Sequence, residues 1–349
     1  MAAEKPASSV TIDDVARLAK VSIATVSRTI NRPESVSSVL KGRVLEAIRK
    51  TGFIPNAGAR LLMTNRSGAI GVVMPTLSNT IFAQSLAGFQ HRAAIESFQV
   101  IVAFSEFDSA RESAQILNLV KSGVEAVALT GAGQEPWILR LLQQRKLPYI
   151  HVVCCEAPLG GQTIGFDNAK AMRVVVSHLL ERGHKHMGVL ISKTEGNDRA
   201  SARLHGAREA IQLAGLQLPL NRIIETRNQI SAIRASFKEL LKNAPEITAV
   251  ICGNDLLAQG ALIEAQHNNI RVPIDLSITG FDDFEMSTHT LPPITTVRTS
   301  AYQMWGRAAE HLLSQLNSKK SLPRHTLTDV ELIIRESTGA PRISRLKLT

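Results

Sequence analysis

The sequence predicts a small all-α head followed by an α/β core of two Rossmann-like lobes, and three observations carry that expectation. Residues 11–51 read as short amphipathic helices separated by tight turns. From Ala69 onward, short continuous apolar runs alternate with helical patterns, as in parallel strands buried on both faces. The alternation runs to about residue 340, more than one sheet holds comfortably, and a length of 349 residues suits two or three domains.

The head begins at Thr11, a hydroxyl N-cap with Asp14 three residues on, an acidic version of the capping box. Ile12, Val15, Ala16 and Ala19 then form one apolar stripe. Lys20-Val21 breaks the stripe, and Ser22 caps a second helix reaching about Asn31. Val26 and Ile30 face inward on it, whereas Ile23, Ala24, Ser27 and Arg28 fall on a face with no core to meet. Two helices joined this way make a helix-turn-helix, whose free face suits the major groove; there an arginine takes both guanine acceptors. After a loop at Arg32–Val36, Ser37 or Ser38 caps a third helix ending at Thr51, with Leu40, Val44, Ala47 and Ile48 inward and Gly52 as its stop.

Asp-Val-Ala at 14–16, Val-Ser at 21–22, Ala-Thr-Val-Ser-Arg at 24–28 and Asn31 closely resemble the head of the LacI/GalR family of bacterial repressors. That resemblance implies a DNA-binding head over residues 1–54. Ile23, Ala24 and Arg28 would read bases, with Thr11, Ser22, Thr25, Ser27 and Asn31 among the other DNA-binding residues. Lys20 stands where the family usually has glycine, so the turn lacks the residue that adopts positive φ most easily. Residues 55–68 align with the family's hinge helix, which orders over the minor groove. Asn56, Ala59 and Arg60 match it, and Leu62 aligns with the leucine driven between base pairs. Gly58 departs from the bulkier residue common there, raising the cost of ordering by ~1 kcal/mol relative to alanine. Residues 341–349 form a basic tail too short for the leucine heptads of tetrameric members, so a homodimer on palindromic, double-stranded operator DNA is expected.

In the core, strands are expected at Ala69–Met74, Gln99–Phe104, Ala126–Leu129, Tyr149–Val153, Met187–Ile191, Ala249–Cys252 and Leu276–Gly280. Helical patterns lie near 81–97, 109–122, 136–146, 169–182, 200–214, 230–242 and 255–267. The family resemblance continues through this region and implies a core like that of periplasmic sugar-binding proteins, over 69–340. By analogy the chain crosses between lobes near Phe166–Asn168, Thr295–Arg298 and Thr326–Asp329. Lobe N then holds about 69–166 and 297–326, and lobe C about 167–296 and 327–340. A small-molecule effector would sit between the lobes, at the carboxyl ends of strands. Thr80 and Phe82 after the first strand, Phe166 at the crossing, and Arg199, Arg203, Asn254 and Asp282 are the effector-binding candidates. Asp255 and Asp283 read as structural.

The resemblance is strongest to gluconate-type repressors, on Asn-Arg-Pro-Glu-Ser-Val-Ser at 31–37 and Gly-Phe-Asp-Asn at 165–168. Two arginines suit a carboxylate, so a sugar acid such as gluconate is the expected effector, with a neutral sugar, nucleoside or purine as the alternative. The formal charge of +10 agrees with a polyanion partner. Residues 1–65 hold ten Lys/Arg against five acids, half that charge on under a fifth of the chain.

Residues 1–10 lack the apolar segment of a signal peptide, and no run reaches the ~18 apolar residues of a membrane span. Cys154, Cys155 and Cys252 fit a reducing, cytoplasmic setting without Cys-x-x-Cys spacing. Gly131-Ala132-Gly133 begins like a dinucleotide fingerprint but reads as a turn. His184-Lys185-His186 lacks a third ligand at metal spacing, and adjacent Asp282-Asp283 diverge too far for acid–base work. No cofactor, metal or membrane is expected, and no catalytic constellation. A periplasmic-type receptor, which would carry an export signal and no basic head, is the rival reading.

Overall fold

A computed structural model describes residues 10–54, 66–317 and 323–343, in two compact units that divide at Ser67–Gly68. The first unit is a three-helix head of α1 (Ile12–Ala19), α2 (Ile23–Asn31) and α3 (Ser38–Thr51). Its core is small: Val15, Ala16 and Ala19 of α1 meet Val26 of α2 and Val44 and Ala47 of α3. The expected capping box is present, Thr11 and Asp14 bonding each other's backbone. Ser37 is the N-cap of α3 but its side chain makes no capping bond, unlike Ser22, whose hydroxyl accepts from the Thr25 amide.

The turn between α1 and α2 places Lys20 in the left-handed region, at φ 54° and ψ 49°. An L-residue with a long side chain is held there at a cost of about 1–2 kcal/mol. Arg43 of α3 offsets it by donating from Nη2 to the carbonyls of Ala19 and Lys20, at 2.6 and 3.0 Å. The guanidinium thus takes acceptors that the end of α1 leaves open.

The second unit is the α/β core. Strands β1 (Ala69–Met74), β2 (Gln99–Phe104), β3 (Ala126–Thr130), β4 (Tyr149–Val152) and β5 (Gln162–Gly165) alternate with α4 (Thr80–Ile95), α5 (Ser109–Lys121) and α6 (Pro136–Gln144). Helix α7 (Asn168–Glu181) leads into β6 (Met187–Ser192), α8 (Asp198–Leu213), β7 (Ile223–Thr226), α9 (Ile230–Asn243), β8 (Ala249–Cys252), α10 (Asp255–His267), β9 (Ser277–Thr279) and α11 (Glu285–His289). The chain closes with β10 (Thr296–Arg298), α12 (Ala301–Leu316), β11 (His325–Leu327) and β12 (Glu331–Ile333). A six-stranded parallel sheet has the order β11-β5-β4-β3-β1-β2, and a four-stranded parallel sheet the order β7-β6-β8-β9. Between them, β10 and β12 pair antiparallel as a short ribbon. The segments joining the sheets pass at 166–168, through β10, and from β11 to β12.

The seven expected strands are all present within about a residue at either end. Strands β5, β7, β10, β11 and β12 had no counterpart among the expected strands. Gln-Thr-Ile-Gly and Ile-Ile-Glu-Thr of β5 and β7 lack a long apolar run, and β5 is completed only by pairing with β4 and β11. Helix α12 also had none. Its stripe of Ala301, Met304, Trp305, Ala308, Ala309, Leu312 and Leu313 is buried against α4, with Trp305 edge-on to Phe89 at 6.2 Å. Gly88 permits that approach, since a Cβ there would run into the Tyr302 carbonyl. Four of those seven residues are alanine or methionine, a weaker signal than Leu/Ile/Val periodicity.

Asp255, the first residue of α10, joins the four-stranded sheet to the ribbon. Fully buried, it accepts from the Phe284 amide (2.7 Å) and from the hydroxyls of Ser287 (2.7 Å) and Thr296 (2.5 Å). Asp283 is bracketed by Arg298 and Arg335, at 2.7 and 2.6 Å. Both expected structural roles thus have their partners. His178 and His184 are spent in the same way, bonding Thr338 and, for His184, Thr248 and the Gly339 carbonyl.

Replacing Lys20 by glycine relieves the left-handed strain and loses part of the gain to unfolded-state entropy, a net stabilisation of about 0.5–1 kcal/mol. Amide exchange in α1 and α2 should slow by roughly two- to fivefold, and faster exchange would refute the strain. Burial pushes the Asp255 carboxyl up to about 7, against the pull of its three donors. The folded state therefore holds a proton that the unfolded chain has released, so this residue's stabilisation is complete below pH 3.8 and lost as pH rises through about 7. His151, His178, His184 and His311 are lowered by burial and titrate with the opposite sign. The test is the difference in melting temperature between the parent and Asp255→Asn from pH 5 to 8. The parent should lose stability relative to the variant as pH rises, and a flat difference would refute the assignment.

Candidate functional site

The exposed face of α2 is built by its caps and its core. Ser22 starts the helix by bonding the Thr25 amide at 3.2 Å and pairs with the Thr25 hydroxyl at 2.9 Å. Val26 is fully buried and Ile30 packs beside it, which rolls the opposite face outward. Ile23 is 47% exposed, and Ala24 and Arg28 share its side of the helix in solvent. The Arg28 Nε donates to the Ala24 carbonyl at 3.3 Å, leaving its terminal nitrogens at the helix surface. Ser27 is half-buried on the same side, and Asn31 is the last residue of α2. The hydroxyls of Thr11, Ser22 and Thr25 are occupied by local caps. Asn56, Ala59, Arg60 and Leu62 lie outside the described residues.

In the core, the carboxyl ends of both sheets converge on a cavity of about 70 Å³. Asn79, Phe82, Ser85 and Phe107 line it from the larger sheet's side, and Ser192, Asn197, Arg199, Arg203, Asn228, Asn254 and Asp282 from the other. A wider chamber of about 740 Å³ opens beyond Asn79, Phe107 and Asn228.

Arg203, on α8, is the centre of the cavity floor. Its Nε donates to Asn168 (2.9 Å), Nη1 to the Gly253 carbonyl (2.7 Å) and Nη2 to Asp282 (3.3 Å). The guanidinium carbon lies 3.7 Å from the centre of the Phe281 ring, which in turn stacks on Phe166. Burial lowers the Arg203 pKa and raises that of Asp282, and each charge opposes the shift of the other. Because arginine keeps its proton in proteins, the pair stands as a buried cation beside a carboxylate with little net charge. Asn254 caps α10 through Leu257 and donates to Ser192 and Asn228, at 3.1 and 3.3 Å. Val153 and Asp282 line the cavity with φ of 72° and 103°. Positive φ at a β-branched residue and an aspartate stores of order 1–3 kcal/mol each, a feature that gathers at functional sites.

Phe82, Arg199, Arg203, Asn254 and Asp282 thus come together, and two other candidates do not. Thr80 is the exposed first residue of α4, and Asn79, its N-cap, takes the lining position. Phe166 is 3% exposed and supports the floor from beneath, stacked on Phe281. Asn79, Ser192 and Asn228 were missed although each sits at or just beyond a strand end; Asn228 could not be placed without β7. The rim of amides and hydroxyls over an ion pair can donate to and accept from a polyhydroxylated ligand. Among the described residues no cluster of metal-ligating side chains occurs, and no helix is long and apolar enough to cross a membrane.

Comparison with known proteins agrees with both halves. Residues 11–56 match the sequence family described as bacterial regulatory proteins, lacI family, and residues 176–338 match a periplasmic binding protein-like domain. The transcriptional repressor CytR of Escherichia coli is 32% identical over 341 residues, covering 97% of this chain and 99% of CytR. The transcriptional regulator GntR of Escherichia coli is 28% identical over 313 residues, covering 90% of this chain and 94% of that protein. The lac repressor dimer bound to operator and the anti-inducer ONPF superposes with a TM-score of 0.83 at 25% identity, over 95% of this chain and 100% of that one. With its head, its two-sheet core and near-complete coverage by a relative at this identity, the chain belongs to the LacI family of bacterial transcriptional regulators, and it is not an enzyme.

Proposed function

We propose that this protein is a cytoplasmic, homodimeric repressor that binds a palindromic operator and whose grip is set by a small sugar-type effector in the cleft. The observation that carries the reading is the presence, in one chain, of a helix face that exposes Ile23, Ala24 and Arg28 and a cavity lined by two lobes with amides, hydroxyls and an ion pair. Ile23 and Ala24 have no hydrogen-bonding side chains, so they contribute shape and thymine-methyl contact, and Arg28 is the main polar reader. Thr11, Ser22, Thr25, Ser27 and Asn31 position the head on the backbone. Asn56, Ala59, Arg60 and Leu62 form the hinge, with Leu62 as the wedge.

A sugar acid such as gluconate is the effector favoured by the likeness to gluconate-type repressors and by the GntR relative. Asn254, Phe82 and the Arg203–Asp282 pair are its contacts. A second reading rests on charge. Arg203 already faces Asp282, and Arg199 lies 2.7 Å from Asp198, so both arginines that line the cavity have a carboxylate beside them. That balance favours a neutral sugar whose hydroxyls bridge donor and acceptor.

Calorimetry against gluconate, ketogluconate, ribose and hypoxanthine separates the two. Binding of either acid, lost in Arg203→Ala, supports the first reading. Binding of ribose with silence for both acids replaces it with the second, and hypoxanthine alone refutes both. On the DNA side, Arg28→Ala should cost about 1–3 kcal/mol at one guanine per half-site. A titration over operator variants with equal loss at every sequence would remove the base-reading role.

A further inference from the structure

The first turn of α8 reaches across the cleft to the other lobe. Asp198 Oδ2 accepts from the Ala132 amide at 2.8 Å, just beyond β3. Arg199 Nη1 donates to the Thr130 carbonyl at 3.2 Å and is held against Asp198 Oδ1 at 2.7 Å. The receiving loop is shaped for this contact. Gly131 has φ +75°, and a Cβ on it would overlap both Arg199 Nη1 and Asp198 Oδ1. Gln134 supports the loop by donating to the Thr130 carbonyl and to Glu112 of α5. A second close approach lies beside it, where a Cβ on Gly196 would come within 2.8 Å of the Phe107 carbonyl oxygen. Arg199 is 11% exposed in its side chain, so this is a desolvated contact rather than a surface pair.

We infer that Asp198 and Arg199 form a latch that closes the two lobes in the absence of any effector, and that they are positioning residues. Arg203 stands one helical turn beyond Arg199 on α8, so docking the start of that helix on the β3 loop also fixes where the cavity's buried cation stands relative to the opposite wall. The latch contributes to the closed state through bonds between lobes, while the cavity residues contribute through the ligand. Its strength therefore sets how much of the protein is binding-competent before an effector arrives. This inference stands whatever the effector proves to be.

Hydrogen exchange followed by mass spectrometry on the full-length protein, without ligand, tests it. In Asp198→Ala, exchange in peptides covering 130–134 and 193–199 should rise on the order of tenfold, the scale of a lost charge-assisted bond. Peptides covering β6 and β8 should exchange as in the parent. Asp198→Asn, which keeps an acceptor for the Ala132 amide, should recover part of the protection, and Arg199→Gln gives an independent second variant. Unchanged exchange at both facing loops would overturn the latch. A rise spread over β6 and β8 as well would also overturn it, by making the pair an ordinary contributor to stability.

Discussion

The cleft depends on one arrangement, the Arg203 guanidinium held over the Phe281 ring and bonded to Asp282 and the Gly253 carbonyl. An arginine cannot shed its charge on burial, so the surrounding chain has to supply the compensation. Here three different segments do so: Asn168 at the lobe crossing, Gly253 after β8, and Phe281 and Asp282 after β9, all around a residue on α8. Removing one member leaves the others buried and unpaired, which costs several kcal/mol for such a charge. The pair therefore locks the carboxyl ends of the smaller sheet into register with the crossing. It also fixes the polarity of the cavity floor.

The same arrangement explains why charge alone does not identify what binds. A buried cation reads as an anion site when its partners are unknown. The Asp282 carboxylate turns it into a donor beside an acceptor, and the Asp198 carboxylate does the same for Arg199. What remains for a ligand is a surface of amides and hydroxyls set among the aromatic side chains of Phe82 and Phe107 and aliphatic ones such as Ile81, Ile191 and Met304. Selectivity on such a surface comes from leaving polar groups unpaired when the wrong ligand enters, which hydroxyl-rich compounds avoid best.

Much of this was legible in the sequence because the signals are local. The capping residues Thr11 and Ser22, the stripe of α1 and the runs of β1, β2, β3, β6 and β8 need only neighbours a few positions away. What the sequence concealed is non-local. Strand β5 exists because β4 and β11 pair with it, and α12 because α4 presents Phe89 and Gly88 to it. At the cleft, Arg203 and Asp282 are picked out by the family resemblance, which matches them to effector positions. Phe166, the neighbour of one crossing, is buried under Phe281, and no spacing along the chain reveals which face of the crossing looks into the cavity. Lys20 is a similar case: the absent glycine is visible, but Arg43, which offsets it from 23 residues away, is known only from the fold.

How ligand occupancy is transmitted follows from where the lining residues come from. A ligand changes an equilibrium only by its differential affinity for the two states. Asn79, Phe82 and Ser85 belong to one wall and Arg203, Asn254 and Asp282 to the other, so a molecule touching both walls stabilises the closed form and one touching a single wall does not. Bonds that owe nothing to a ligand also join the two walls, from Asp198 and Arg199 to the β3 loop. Ligand and latch therefore act on a single coordinate, lobe separation. A tight latch leaves a ligand little population to shift, whereas a weak one makes every ligand pay first for closure. A response spanning a useful range requires the two to be of comparable size. A pair of bonds, partly exposed at Asp198, is of that scale.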